Sequence, residues 1–258
     1  MNRLGVNAYA VLMIGGILLT ALVWGRLTRR GERVDGRLTL IYFWALIGAL
    51  LGAKISFLFA EGWHYRHDWL ALLSGRSITG GLLGGYLAVE IGKRRLNYRT
   101  TTGDLFAIIA PLGLLLGRIG CLMQGCCPGV ECEPQWWTIT DHAGVPRWPA
   151  AAVELGFNAA FLAWVLPAAR LNWQNGNRFH IYLIAYGLFR FAHEFARADA
   201  SWTGPVSGYH FLATLIFGFG LLRYMQRRRD DRPRLEFAPS TPTASRVSPK
   251  SSAAGSSG

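Results

Sequence analysis

Long apolar runs separated by short polar segments organise the chain. Residues 7–24 form the first run, long enough at about 1.5 Å per residue to cross a bilayer core of about 30 Å. Further runs cover 38–60, 78–92, 104–124, 149–169, 179–197 and 207–225. This pattern predicts an all-α membrane protein with seven transmembrane helices over residues 1–225. A signal peptide is not expected at 7–24: only Arg3 precedes it and a basic loop follows directly. The loop at 61–77 carries Trp63, His64, Tyr65, His67 and Trp69. These aromatics suit a membrane interface, and 69–73 is expected as a short interfacial helix. From Gln226 the chain turns arginine-rich and then Ser/Pro/Ala-rich, so 226–258 is expected to be a disordered cytoplasmic tail.

Small residues and stray charges interrupt the runs. Gly48 and Gly52 are spaced to let two helices approach closely. Lys54, in the same run, either snorkels to an interface or is paired. The third run opens Thr79-Gly-Gly-Leu-Leu-Gly-Gly. So many glycines weaken a helix unless its backbone must lie against a neighbour or a ligand. Pro149 suits a first helical position, with Glu154 inside the fifth run.

The net charge of +12 sits with 51% hydrophobic residues, a combination rare in soluble basic domains. Counting Lys and Arg in alternate loops gives 17 on one side and five on the other. The positive-inside bias places the amino terminus outside and the carboxy terminus in the cytoplasm. It also accounts for the charge without nucleic acid.

Candidate chemistry begins at Arg118, inside the apolar stretch 111–129. An arginine at such depth costs from about 3 to well over 10 kcal/mol unless it is paired. Arg190, His193, Glu194 and Arg197 recur at i, i+3, i+4 and i+7 of the sixth run and share one helix face. With Glu154, three arginines and two carboxylates converge near the outer surface. One reading is a structural ion network. The other is an anion receptor, favoured by the cation excess, and in a bilayer the abundant anion is a lipid phosphate.

These motifs resemble the prolipoprotein diacylglyceryl transferase family over roughly 35–220. The likeness lies in Gly52-Ala-Lys54, Thr79–Gly85, Gly117-Arg-Ile-Gly120, Pro149 with Glu154, and Tyr182 through Arg190-x-x-x-Glu194-x-x-Arg197. The resemblance implies lipoprotein biosynthesis at the outer face of the bacterial cytoplasmic (inner) membrane. Phosphatidylglycerol would give its diacylglyceryl group to the lipobox cysteine of a prolipoprotein signal peptide, releasing glycerol 1-phosphate. It implies catalytic roles for Arg118, Arg190 and Glu194; of the histidines that could replace the family's base, His64, His67, His142, His193 and His210, the best placed is His193. Arg118, Arg197, Glu154, Thr79, Gly80, Gly81 and Gly120 would bind substrate, with no cofactor and no metal. Departures accompany the likeness: Thr79 stands where the family usually has histidine, and Cys121 where it has asparagine. The segment 148–154 reads Trp-Pro-Ala-Ala-Ala-Val-Glu, stripped of most of the family's polar groups.

All four cysteines, Cys121, Cys126, Cys127 and Cys132, fall in one short segment, 121–132, which the charge bias places outside. An oxidising exterior favours two disulfides, with the adjacent Cys126 and Cys127 pairing to Cys121 and Cys132 rather than to each other. The spacing C-x4-C-C-x4-C fits no standard zinc or iron–sulfur pattern. A membrane thiol–disulfide oxidoreductase using this cluster is the alternative enzyme, and a non-catalytic lipid-binding protein or transporter is a third class.

Overall fold

The computed structural model describes residues 3–30, 33–34, 36–198 and 201–229. Among them are α1 (Arg3–Thr28), α2 (Gly36–Ala60), the short α3 (Trp69–Ser74), α4 (Ile78–Arg95), α5 (Gly103–Gln124), α6 (Ala150–Arg170), α7 (Arg178–Glu194) and α8 (Gly208–Arg228). Among the described residues, strand forms three two-stranded antiparallel hairpins in the loops. α8 continues to Arg228, and the expected tail from 230 onward lies outside the described residues. Among the described residues, four helices are long and apolar enough to cross a membrane, at Val11–Thr28, Gly36–Ala60, Gly103–Gln124 and Ala150–Arg170. The outward surface of α1 and α2 is apolar: Val11, Leu22, Leu50 and Ile55 are each more than 60% exposed. Lipid, rather than water, is the solvent that suits such a face.

Glycine decides how α2 and α4 meet. A Cβ on Gly52 would lie 2.3 Å from the Gly80 carbonyl oxygen, and one on Gly84 2.4 Å from that of Gly48. The four glycines therefore let two backbones touch, the small-residue packing that membrane helices use. The neighbour that the Thr79–Gly85 glycines serve is thus α2. Lys54 has a pairing role: its Nζ donates to the carbonyls of Leu72 and Gly75, at the end of α3. That contact completes carbonyls the last turn of a short helix leaves unsatisfied.

An aromatic core fills the bundle around Trp24, Tyr86, Phe106, Phe161, Phe179 and Tyr182. At one end, Asp104 in the first turn of α5 accepts from Gly176 N at 2.6 Å and pairs with the buried Arg178 at 3.3 Å. Arg178 also donates to the carbonyls of Ala168 and Trp173. This joint ties α5 to the α6–α7 turn and so fixes the height at which Arg118, Glu154 and Arg190 stand.

Candidate active site

Arg118, on α5, and Glu154, on α6, form a buried ion pair through Nη2 and Oε2. Glu154 has no exposed surface, and its Oε1 accepts from Tyr186 Oη at 2.6 Å. Behind it, Asn158 Nδ2 donates to the Glu154 carbonyl, and Tyr182 Oη donates to Asn158 Oδ1 at 2.7 Å. A carboxylate so deep survives only with its lone pairs met, and this chain meets them.

A second pair stands on α7. Arg190 Nη1 lies 2.7 Å from Glu194 Oε2, an i, i+4 contact. Ser207 Oγ donates to Glu194 Oε1 at 2.6 Å, and Ser207 also caps α8 in a box completed by His210. The Arg190 guanidinium sits 5.5 Å from the centre of the Tyr209 ring, whose hydroxyl donates to Glu61. The first turn of α8 thus fixes Arg190 and Glu194.

Arg197 departs from the helical-face expectation. α7 ends at Glu194, and Phe195 and Ala196 turn the chain, so Arg197 lies beyond the helix. Its place comes from a backbone bridge to Gly129. Gly129 N donates to the Trp148 carbonyl and Val130 N to that of Ala196. A Cβ on Gly129 would lie 2.5 Å from the Trp148 oxygen, so the loop passes there only without a side chain. This short ladder holds Arg197 Nε 3.8 Å from Glu194 Oε2. Farther out, Arg147 pairs with Asp141 at 2.5 Å and with Glu131 at 3.1 Å. The hydrogen bond from Arg147, with backbone donors, holds the Asp141 carboxyl below its usual range.

Arg118, Arg190 and Arg197 all line one cavity of about 1240 Å³, whereas Glu154 and Glu194 stand behind the wall. Leu50, an outward-facing residue 62% exposed, belongs to the same wall, so the cavity reaches the apolar outer surface. The same wall also carries Arg76, Lys93, Arg223 and Arg227, with the carboxylates Glu61 and Glu90.

Other expected residues take varied places. Gly81 and Gly117 line the cavity, but Gly80 faces Ser56 across the α2–α4 contact and Thr79 is buried with its Oγ1 2.6 Å from Ser77 Oγ. Gly120 is buried on α5 beside Arg118 in sequence. His193 is off the cavity wall: its ring stacks on Phe189 and its Nε2 accepts from Trp148 Nε1 at 3.1 Å. All four cysteines stand as free thiols, so the two expected disulfides are not formed.

A match to known proteins over nearly the whole bundle accompanies this geometry. The family model described as prolipoprotein diacylglyceryl transferase matches residues 1–226. The chain belongs to the prolipoprotein diacylglyceryl transferase family. Among curated relatives, phosphatidylglycerol–prolipoprotein diacylglyceryl transferase 2 of Clostridium perfringens is 29% identical over 82% of this chain and 86% of its own length. The enzyme of Methylococcus capsulatus is 30% identical over 75% of this chain and 78% of its own. That of Cupriavidus necator is 29% identical over 79% and 80%.

Sequence reasoning quoted Tyr182 through Arg190 as a motif but gave no role to the residues that make the two pairs tolerable. Tyr182, Tyr186 and Asn158 support Glu154, while Ser207 and Tyr209 support Glu194 and Arg190. A signal existed for the first group. Asn158 is four residues after Glu154, and Tyr182, Tyr186 and Arg190 recur every four residues, so each set shares a helix face.

Proposed function

We propose that this chain transfers the diacylglyceryl group of phosphatidylglycerol to the cysteine thiol of a prolipoprotein signal peptide, the activity its relatives are named for. The observation that supports the residue assignment is that Arg118, Arg190 and Arg197 line the cavity while the carboxylates paired with them, Glu154 and Glu194, do not. The donor phosphate docks among Arg118, Arg190 and Arg197, with the acyl chains leaving toward the apolar outer surface. As the acceptor sulfur attacks the glyceryl carbon, the C–O bond to phosphate breaks and negative charge grows on the leaving phosphate. Preplaced guanidiniums in a water-poor site stabilise that charge. Glu154 and Glu194 orient them, and His193, facing Trp148, supports the wall.

The seven long helices all span the membrane in this reading, with Arg178, Arg190 and Glu194 of α7 buried inside the bundle. The arginine bias of alternate loops supports an outer amino end, a cytoplasmic carboxy end and a site opening to the exterior of the inner membrane. Family membership and the anion-facing arginines support transfer over the thiol–disulfide oxidoreductase.

The test uses purified protein, labelled phosphatidylglycerol and a lipobox peptide. Lipid on the peptide with release of glycerol phosphate is expected, and Arg190→Ala should lower the rate about 10²–10³-fold, as loss of one anion-stabilising donor does. An Arg190→Ala protein that keeps its fold and full rate removes this site from the reaction.

A further inference from the structure

The last turn of α5 and the loop after it bring three thiols to the cavity wall beside Arg118. The sulfurs of Cys121, Cys126 and Cys127 all lie within 4.8 Å of one another, with Cys126 and Cys127 3.9 Å apart. Ligand sulfurs at about 2.3 Å from a zinc ion stand about 3.8–4.0 Å from each other. A disulfide needs its sulfurs at about 2.05 Å. Cys126 and Cys127 thus stand at the spacing of metal ligands, with Cys121 Sγ within 4.8 Å of both.

The backbone produces it. Gly125 caps α5 in the left-handed region at φ 64°, and Cys127 adopts the same region at φ 61°. A cysteine there is strained by about 1–3 kcal/mol and persists where surroundings demand it. Two left-handed residues in three fold Cys126 and Cys127 back over Cys121. Cys132 leaves this group because its N–H donates to Pro146, in the ladder that runs outward. The four-cysteine spacing fits no metal pattern for that reason: the fourth cysteine is not part of the set. Arg118 Nη1 stands 3.9 Å from Cys121 Sγ, so a cation of the anion site borders the thiols.

Three protein thiolates leave four-coordinate zinc one open position, the arrangement of catalytic rather than structural sites. We propose that Cys121, Cys126 and Cys127 bind Zn²⁺, and that the open position takes the acceptor cysteine as a thiolate next to the donor phosphate. This rests on the transferase reading. It also answers a need the cavity leaves open, since the acceptor thiol must lose its proton. Among the described residues, the histidine on the cavity wall is His180, bonded to Tyr86. The wall carboxylates Glu61 and Glu90 are engaged with Tyr209 and with Lys93 and Arg223. Coordination to zinc deprotonates a thiol outright. The proton passes to solvent, the thiolate forms the C–S bond, and the C–O bond breaks with its electron pair on the phosphate oxygen. Nothing is oxidised or reduced, and zinc is unchanged.

The full chain, stripped of metal under reductant, is titrated with Co²⁺ as the probe. A single equivalent with thiolate-to-cobalt charge-transfer bands is expected, displaced by Zn²⁺, lost in Cys121→Ser and kept in Cys132→Ser. Added lipobox peptide should raise the sulfur count around the metal from three to four by X-ray absorption, and a peptide with serine for cysteine should not. Lipidation by the stripped chain should fall ~10²-fold, the scale of a lost general base. Absence of charge-transfer bands in the folded unsubstituted chain, or bands that follow Cys132, overturns the site. Equal lipidation rates with and without metal overturn its role while the transferase stands. Metal bound by the three cysteines and joined by peptide sulfur, but with no lipid transferred, supports the site and overturns the transferase reading.

Discussion

Glu154→Gln removes the charge of a fully buried carboxylate and keeps its shape. Its Oε2 pairs with Arg118 and its Oε1 accepts from Tyr186 at 2.6 Å. The variant leaves Arg118, only 5% exposed, without its nearest carboxylate. Breaking a buried pair from one side costs about 3–5 kcal/mol, because the surviving charge remains buried. At about 1.4 kcal/mol per tenfold, the folded-to-unfolded ratio falls roughly 10²- to 10⁴-fold. Arg118→Gln should cost a similar amount, since Glu154 is then the orphan. The double variant Arg118→Gln/Glu154→Gln replaces both charges with groups that can hydrogen-bond each other. It should be more stable than the sum of the singles by about 2–3 kcal/mol, the upper range for contacting residues. Reversible unfolding in mixed micelles, followed by circular dichroism, measures all three. If the two single costs add within about 0.5 kcal/mol, the two residues do not compensate each other and the buried-pair account fails.

Other predictions rest on different features. Gly84→Val sets a side chain against the Gly48 carbonyl and Gly52 Cα, with Cβ at 2.4 and 2.7 Å. It should cost about 3 kcal/mol or more by overpacking; Gly218→Ala, with nothing within 4 Å, should stabilise α8 by up to about 1 kcal/mol in the same melts. Asp141 has its pKa lowered by the Arg147 hydrogen bond from an ordinary 3.8. The loop stabilisation from that pair is therefore full above pH 3.8 and lost as pH falls through the lower folded value, which proteolysis of the 129–148 loop by an acid-active protease should report. Unchanged cleavage across that window in the intact chain, relative to Asp141→Asn, refutes the linkage.

The helices were legible because hydrophobic runs carry their own period and length. The starts of the second, third and fourth runs fell within two residues of α2, α4 and α5. Arg118, Glu154, Arg190 and Glu194 were legible because a charge in such a run demands a reason. Arg197 was placed on the right neighbours for the wrong cause: helical periodicity suggested its face, but a bridge between Gly129 and residue 197, far apart in sequence, sets it. The thiol arrangement was illegible for a related reason. Spacing alone does not reveal that Gly125 and Cys127 are left-handed, and without those two torsions four cysteines read as one set. Likewise the glycines of 80–85 are silent about which neighbour they admit until α2 lies against them.

Ala60, at the end of α2, accepts from the indoles of Trp63 and Trp202 at 3.2 and 2.8 Å, and Gly208 is pressed against its Cα. The same first turn of α8 supplies Ser207 to Glu194. Order of synthesis then matters, since the polypeptide that completes this joint is the last of the bundle to emerge from the ribosome. Until α8 is made, Glu194 lacks the Ser207 hydroxyl that meets its Oε1, so the second pair is completed only by the end of the bundle's own sequence.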